Sequence, residues 1–557
     1  MKRNLPIGTS DFKKIRNQNS YYVDKSLMIK EIIDDCSEII LIPRPRRFGK
    51  TLNMSMLRYF FDLNDAEANR KLFDGLNITK EVEFDNEQGR YPVIFLTFKD
   101  IKETSFEASF EKLQEVIADE YGRFSFLLES DEMSEVEKEQ FDDIIKSRTS
   151  VTRLQSSLKK LTKYLFNHFK QKPILLIDEY DTPIHAAYTE GYYKKMIDFM
   201  RAMLGDALKD NSNLHKGVLT GTLRISKESI FTGLNNPSVY TLLSHRFNDK
   251  FGFTQNEVSQ MLVDYDLESE TESVKAWYNG YIIGKIDIYN PWSIINFIHN
   301  KDEGFKPHWV NSSSNDLIKD IIKDSPASVH AEMLELLDNK ILVKSLDENI
   351  SFPELKSTDN SIYSFLVFSG YLKARFLEHT DDNDFYQLMI PNLEVKRLFK
   401  NIFLTWFKET FSNGKNVDLI NALLSKDTNL FGEILGECVL HTLSVHDVER
   451  REVERVYQAF LLGILVSLTP DYEVTSNKES GYGRYDICIV PLKNKTAPSI
   501  ILELKSIRIS ETAETALVSA LKQIEDKQYE ASIRQRGYED ILKLAVVFDG
   551  KRVWVKS

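Results

Sequence analysis

Apolar residues in the first half of the chain fall in short continuous runs rather than in alternation. Residues 39–42 (IILI) and 174–177 (ILLI) are wholly apolar, and 91–98 (YPVIFLTF) and 217–221 (GVLTG) are largely so. Such runs predict strands buried on both faces of a parallel sheet, because a half-exposed strand would alternate with a period of two. After Thr51 the spacing changes. LNMSMLRYFF carries apolar residues at helical intervals with no breaker, so the local order is strand, loop, helix. Residues 106–169 read as a long, mostly helical, highly charged insertion, and Pro173 ends a helical, basic segment just before the next strand. Within 247–435, stretches such as 317–322 and 331–337 repeat at helical spacing between short loops. The final stretch differs again: residues 445–468 begin as a charged helix and end apolar, strands follow at 472–475, 486–490 and 499–505, and a helix starts near Glu514.

A chain of 557 residues exceeds one ordinary core, and three folding units are expected. The longest apolar run, residues 460–468, is too short to cross a bilayer, and MKRNLPIGTS lacks the apolar stretch of a signal peptide. A cytoplasmic protein with no membrane association is therefore expected. Cys36, Cys438 and Cys488 lie far apart without paired spacing, against a disulfide framework or a structural zinc. A net charge of −12 opposes coating of nucleic acid through the overall field. It leaves local basic sites open, and residues 44–58 contain one: Arg44, Arg46, Arg47, Lys50 and Arg58 with no acid.

That cluster overlaps RPRRFGKT, residues 44–51, set between the first strand and its helix. Backbone N–H groups at a helix N-terminus face an anion, Lys50 can reach terminal phosphates, and the Thr51 hydroxyl can ligate magnesium. Arg47, Phe48, Gly49, Lys50 and Thr51 are thus expected to meet ATP with Mg2+. The general pattern GxxxxGK[ST] has glycine where this chain has Arg44, with Pro45 stiffening the turn beside it, so a surface turn that happens to contain GKT is the competing reading. The strand at 174–177 weighs against it. That strand ends in Asp178 and Glu179, in the manner of a Walker B strand, where one acid can hold the magnesium shell and the next can orient and deprotonate the attacking water. In KGVLTGTLRIS, Thr220 falls near a strand end and Arg224 just beyond it. A threonine there can sense the terminal phosphate, and Arg224 can offset transition-state charge in cis or across a homo-oligomer interface, a structural ion pair being its competing role.

A different chemistry ends the chain. Side chains alternate along a strand, so Glu503 and Lys505 in SIILELK project from one face, and a neighbouring strand can bring Asp486 beside them. Two carboxylates and an amine then converge, an arrangement suited to magnesium-dependent hydrolysis of a phosphodiester, with Asp486 and Glu503 on the metal and Lys505 on the water or the transition state. An exposed ion pair on a strand is the ordinary reading of an isolated ELK. Here an upstream aspartate, a preceding helix that carries Glu454 and a following helix complete the order α-β-β-β-α.

YYVDKS at Tyr21, IPRPRRFGKTL at Ile42, LLIDEYDTPI at Leu175 and LTGTLRISKESIFTGLNN at Leu219 resemble the AAA-ATPase-like family, whose phosphate loop commonly reads RPRRFGK[ST]. The same resemblance brings WYNGY at Trp277 and YNPWS at Tyr289, read here as aromatic packing devices. D-x16-E-x-K, with SNKESGYGRYDI, resembles a PD-(D/E)XK nuclease, which implies Glu454 as a helix carboxylate near the metal. Gln523 and Tyr529 would be an additional polar pair, at a spacing wider than the usual Q-x3-Y. The expected architecture is a multidomain α/β protein. A P-loop NTPase of the ASCE type with a parallel sheet spans 1–246, a helical or winged-helix-like connector 247–435, and a restriction-endonuclease-like domain 436–557. The expected function is an ATP-dependent nuclease acting on nucleic acid, DNA first. A nucleotide-switched module that holds nucleic acid or a partner without cutting it is the alternative, favoured by the near balance of acids and bases after Glu503.

Overall fold

The structure, a computed structural model, describes residues 2–224, 237–310, 315–349, 352–356, 359–380, 383–410, 415–442, 453–465, 468, 471–507, 511–550 and 552–557. The chain divides into two compact units, Met1–Ser314 with Val343–Glu394, and Asn315–Leu342 with Val395–Ser557.

In the first unit β1 (Ile39–Pro43), β2 (Val93–Thr97), β3 (Ile174–Asp178), β4 (Lys216–Gly221) and β5 (Ser238–Val239) form a parallel sheet in the order β2-β3-β4-β1-β5. β1 and β3 are buried along their whole length, which is why their sequences are unbroken apolar runs. Parallel neighbours need long crossovers, and helices supply them: Lys50–Phe61 follows β1, and Phe106–Arg123, Glu135–Ile145 and Ser157–Phe169 separate β2 from β3. The register sets Pro43 against Gly221 and Thr97 against Asp178, so the carboxyl ends of four strands share one edge. Ligands of open α/β sheets bind at that edge.

A second layer of this unit forms around β6 (Phe253–Thr254), β7 (Tyr281–Ile283) and β8 (Ile286–Tyr289), in the order β6-β8-β7. Its apolar core, including Val258, Tyr278, Tyr289 and Phe297, takes in Leu5, Tyr21 and Val23 from the start of the chain. WYNGY needs its glycine here, since Gly280 has φ +103° and a Cβ would lie 2.2 Å from the Pro391 carbonyl. Asn290 of YNPWS caps the helix Pro291–His299, accepting from Trp292 and Ser293, and its amide also reaches the Arg46 carbonyl of the phosphate loop. β9 (Leu342–Ser345), β10 (Lys373–His379) and β11 (Asp384–Met389) make a further small sheet in the order β10-β11-β9.

Residues 247–435 are therefore not one connector. The part up to residue 314 packs with the N-terminal segment and the phosphate loop and, with Val343–Glu394, belongs to the first unit, whereas helices Asp316–Lys323, Ala327–Leu337, Lys415–Leu424 and Thr428–Thr442 belong to the second unit. The physical reason is the aromatic core at 253–305, whose missing apolar partners come from residues 5–23.

The second unit is built on β12 (Tyr472–Ser476), the hairpin β13 (Glu479–Ser480) and β14 (Gly483–Arg484), then β15 (Ile487–Pro491), β16 (Ser499–Ser506), β17 (Ile541–Asp549) and β18 (Arg552–Lys556). Its main sheet runs β12-β15-β16-β17-β18, with only β16 and β17 parallel. Ala545 and Val547 pack with Ala516 and Ala520 of the helix Ala513–Asp526, while Phe548 stacks on Tyr457 of the helix Val453–Leu465. Alternation along β17 then puts the two helices on opposite faces of the sheet.

One buried acid joins the second layer of the first unit to its phosphate loop. Glu394, fully buried, accepts from Ser293 Oγ at 2.8 Å and Trp309 N at 2.6 Å, and the Trp309 indole donates to the Arg46 carbonyl at 3.0 Å. Burial pushes the Glu394 carboxyl up to about 7 against the hydrogen bonds it accepts. The native state thus keeps a proton that the unfolded chain has lost, so this group's contribution to stability is present at low pH and is lost as pH rises through about 7, by about 3 kcal/mol in all. Thermal unfolding followed by tryptophan fluorescence should show stability falling from about pH 5 to about pH 8, with most of the slope removed in Glu394→Gln. Equal slopes in both proteins would assign the dependence elsewhere.

Candidate functional site

β1 feeds a turn that needs left-handed backbone at two positions: Arg47 has φ +67° and Gly49 φ +88°, and Lys50 then opens the helix. Arg44, which stands where the general motif has glycine, is completely buried. Its guanidinium donates to the carbonyls of Pro43 (2.8 Å), Tyr240 (2.6 Å) and Phe247 (3.2 Å) and lies over the Phe251 ring. Burial pulls its pKa down to about 9. Arg44 is a strut behind the loop. Phe48 is packed as well: its ring meets Tyr281 edge-on at 5.1 Å and its carbonyl accepts the Gly252 N–H at 3.1 Å. Its side chain therefore supplies bulk behind the loop. Arg47 is exposed, with its guanidinium 4.3 Å above the Trp292 ring.

Lys50 is buried at 3% exposure. Its amine donates to the carbonyls of Arg44 (2.9 Å) and Pro45 (3.2 Å) and meets Glu179 Oε1 at 3.1 Å. Asp178, at the end of β3, gathers three hydroxyls: Thr51 at 2.8 Å, Thr97 at 3.2 Å and Thr220 at 2.8 Å. Burial, followed by the Glu179 charge, raises its pKa while the Thr51 and Thr220 hydroxyls oppose the shift. Glu179 sits at φ +54°, a conformation rare outside glycine, and the bend lets adjacent carboxylates take different partners, threonines for Asp178 and Lys50 for Glu179. Thr97 is an addition to the residues read from sequence; its signal was a lone hydroxyl ending an apolar strand. Arg224 is half-buried after β4, its Nε without a hydrogen-bond partner among the described residues. Residues 225–236 of LTGTLRISKESIFTGLNN lie outside the described residues.

Beside the loop lies a cavity of about 560 Å3, counted to its open mouth and lined by Leu5, Pro6, Tyr22, Gly49, Leu52 and Phe253 among others. No motif announces it, because its walls come from segments far apart in the chain.

In the second unit Ile487 pairs with Leu502 and Cys488 with Ile501. Extending this register by one residue sets Asp486 opposite Glu503, and Asp486 Oδ2 accepts the Leu504 N–H at 2.7 Å. Glu503 and Lys505 share the face toward the helix Ala513–Asp526, where Gln523 knits the group together. The Gln523 amide donates to Glu503 and to the Tyr529 hydroxyl (3.1 Å) and accepts from Lys505 at 2.9 Å. The structure thus brings Gln523 and Tyr529 together despite their wide spacing. Glu454 stands in the first turn of the helix Val453–Leu465, and its side chain lies outside the described positions; Gln458, one turn on, donates to the Asp486 carbonyl at 2.8 Å. No three His, Cys, Asp or Glu side chains gather as a metal cluster among the described residues. Asp486 and Glu503 nonetheless offer two hard oxygen donors, which suits an ion such as magnesium that keeps several waters, and Thr51 with Asp178 does the same in the first unit.

A strand, a left-handed glycine that opens GKT, a helix and the acid-ended β3, set one strand away across β4, define a P-loop nucleotide-binding domain. Residues 6–231 are an AAA-ATPase-like domain, matching the family described as "Predicted AAA-ATPase", and residues 452–557 are a domain of the PD-(D/E)XK nuclease superfamily. A curated relative from Azotobacter chroococcum mcd 1, described as an uncharacterized protein in the vnfD 5′ region, is 23% identical over 98% of this chain and 96% of its own length. The Aeropyrum pernix Orc1 protein, solved in complex with DNA, overlaps 71% of this chain and 94% of its own at 11% identity, with a TM-score of 0.21. Among the described residues no helix is long and apolar enough to cross a membrane.

The strut role of Arg44 has a testable outcome. Arg44→Gly, which restores the general motif, should weaken nucleotide binding and lower the unfolding free energy by about 3 kcal/mol, because three carbonyls lose their donor. Denaturant unfolding and titration with a fluorescent ATP analogue measure both; a gain in affinity would show that Arg44 obstructs the loop.

Proposed function

We propose that this protein binds and hydrolyses ATP and that its nucleotide state controls a magnesium-dependent phosphodiesterase acting on nucleic acid, DNA first. The observation that carries the reading is the Asp178 junction, where hydroxyls from the loop helix and two neighbouring strand ends meet one buried carboxylate beside the Lys50–Glu179 pair. Magnesium would be held by Thr51 and Asp178 in the first unit and by Asp486 and Glu503, with Glu454, in the second, where it offsets phosphate charge and lowers the pKa of bound water.

Lys50 is engaged by two loop carbonyls and Glu179. Incoming phosphates would draw the amine away and leave the Glu179 carboxylate free to take a proton from water as the water oxygen attacks the terminal phosphorus. The bond to ADP breaks and phosphate leaves. Arg47 and the N–H groups that open the helix would hold the anion, Thr220 and Arg224 would respond to its terminal group, and the adjoining cavity would take the base. In the second unit Lys505 would orient the attacking water or stabilise charge on the cleaved phosphate, with Gln523 bonded to both Lys505 and Glu503.

Purified protein should release phosphate from ATP and cut DNA in the presence of magnesium. Lys50→Ala should lower phosphate release by about a hundredfold or more. Asp486→Ala should abolish cutting and spare phosphate release. A panel of DNA and RNA substrates, with and without ATP, measures both; cutting by Asp486→Ala would remove the second site from the reading. Nucleic-acid binding unchanged in Glu503→Ala, with no products from any substrate, would leave a nucleotide-switched binder.

A further inference from the structure

We propose that Asp181 is a positioning residue for nucleotide hydrolysis: it fixes the backbone that leads from Thr220 to Arg224. The inference rests on the hydrolytic reading of the first unit. Asp181 lies two residues beyond Glu179 and is buried at 4% exposure. Its Oδ2 accepts the N–H groups of Thr222 at 2.8 Å and Leu223 at 2.9 Å. Tyr180, fully buried beside it, grips the same segment, its N–H donating to the Thr220 carbonyl at 3.0 Å and its hydroxyl to the Leu223 carbonyl at 2.7 Å. Four hydrogen bonds from two consecutive residues therefore clasp positions 220–223, the stretch that ends at Arg224.

Two further features separate this clasp from ordinary packing. Gly221 lies so close to it that a Cβ would stand 2.5 Å from Asp181 Oδ1 and 2.8 Å from the Tyr180 ring. Among the described residues Asp181 Oδ1 is also buried without a hydrogen-bond partner, and burial, with Glu179 nearby, pushes the carboxyl up to about 6. A bare carboxylate oxygen is a stability defect, and a fold under no other demand has cheaper ways to tie down two N–H groups. The gain lies in precision: the clasp links the residue beside the water-activating acid directly to the strand end whose Thr220 bonds Asp178. Small misplacements of such groups lower turnover more than binding.

The test uses the full chain and measures kcat, KM and affinity for a fluorescent ATP analogue. Lys50→Ala serves as the control for the hydrolytic reading. Asp181→Ala should lower kcat about a hundredfold while KM and affinity stay within about threefold. Asp181→Asn keeps an oxygen for the two N–H groups and should recover activity to within about tenfold of wild type. Gly221→Ala should reproduce the kcat loss, and the double variant Asp181→Ala with Gly221→Ala should lose less than the product of the two single effects. Wild-type turnover in Asp181→Ala, or equal losses of turnover and affinity in both Asp181 variants, overturns the inference while leaving the hydrolytic reading intact. Phosphate release that is unchanged in Lys50→Ala overturns the hydrolytic reading and the inference together.

Discussion

A loop that turns its N–H groups toward an anion must have its carbonyls satisfied from behind, and this requirement organises the first unit. The Pro43 carbonyl accepts from Arg44, those of Arg44 and Pro45 from Lys50, that of Arg46 from Trp309 and Asn290, and that of Phe48 from Gly252. Each donor beyond the loop is placed by other structure: Trp309 by the buried Glu394, Asn290 by its helix cap, and Gly252 by the turn into β6. The aromatic segments at Trp277 and Tyr289 thus belong to a backing layer. Without it the loop would carry orphaned carbonyls in a dry interior, at a cost of about 1–3 kcal/mol each.

Facing this backing is an electrostatic problem of opposite sign. Asp178, Glu179 and Asp181 crowd three carboxylates onto one strand end, and burial raises Asp178 and Asp181 above the ordinary aspartate range. Three threonine hydroxyls, two backbone N–H groups and the Lys50 amine offset the crowding. A triphosphate with its metal would add both cation and anion to this cluster. The site is therefore held in balance by contacts that such a ligand would rearrange.

Much of this was legible in the sequence because the relevant signals are local. Strand runs at 39–42 and 174–177, the GKT turn and the acid pair lie within short windows, and the alternation of SIILELK gives the shared face of Glu503 and Lys505. What escaped depends on distant partners. Arg44 reads as a basic loop residue, and only the carbonyls of Tyr240 and Phe247 turn it into a strut. Gln523 and Tyr529 depart from the expected interval because Tyr529 follows the end of the helix Ala513–Asp526, where chain direction changes and sequence spacing no longer measures distance. The division of 247–435 was hidden for the same reason, its apolar residues being matched by positions more than two hundred residues away.

The interleaving of the two units has a consequence for how the chain is made. The first unit is completed only by Val343–Glu394, after Asn315–Leu342 of the second has already emerged. During synthesis the first unit is thus complete only after a helical segment of the second has emerged, and that segment in turn waits for Val395–Ser557. Neither half is a continuous stretch of polypeptide, so a single proteolytic nick or gene truncation would not release either one whole.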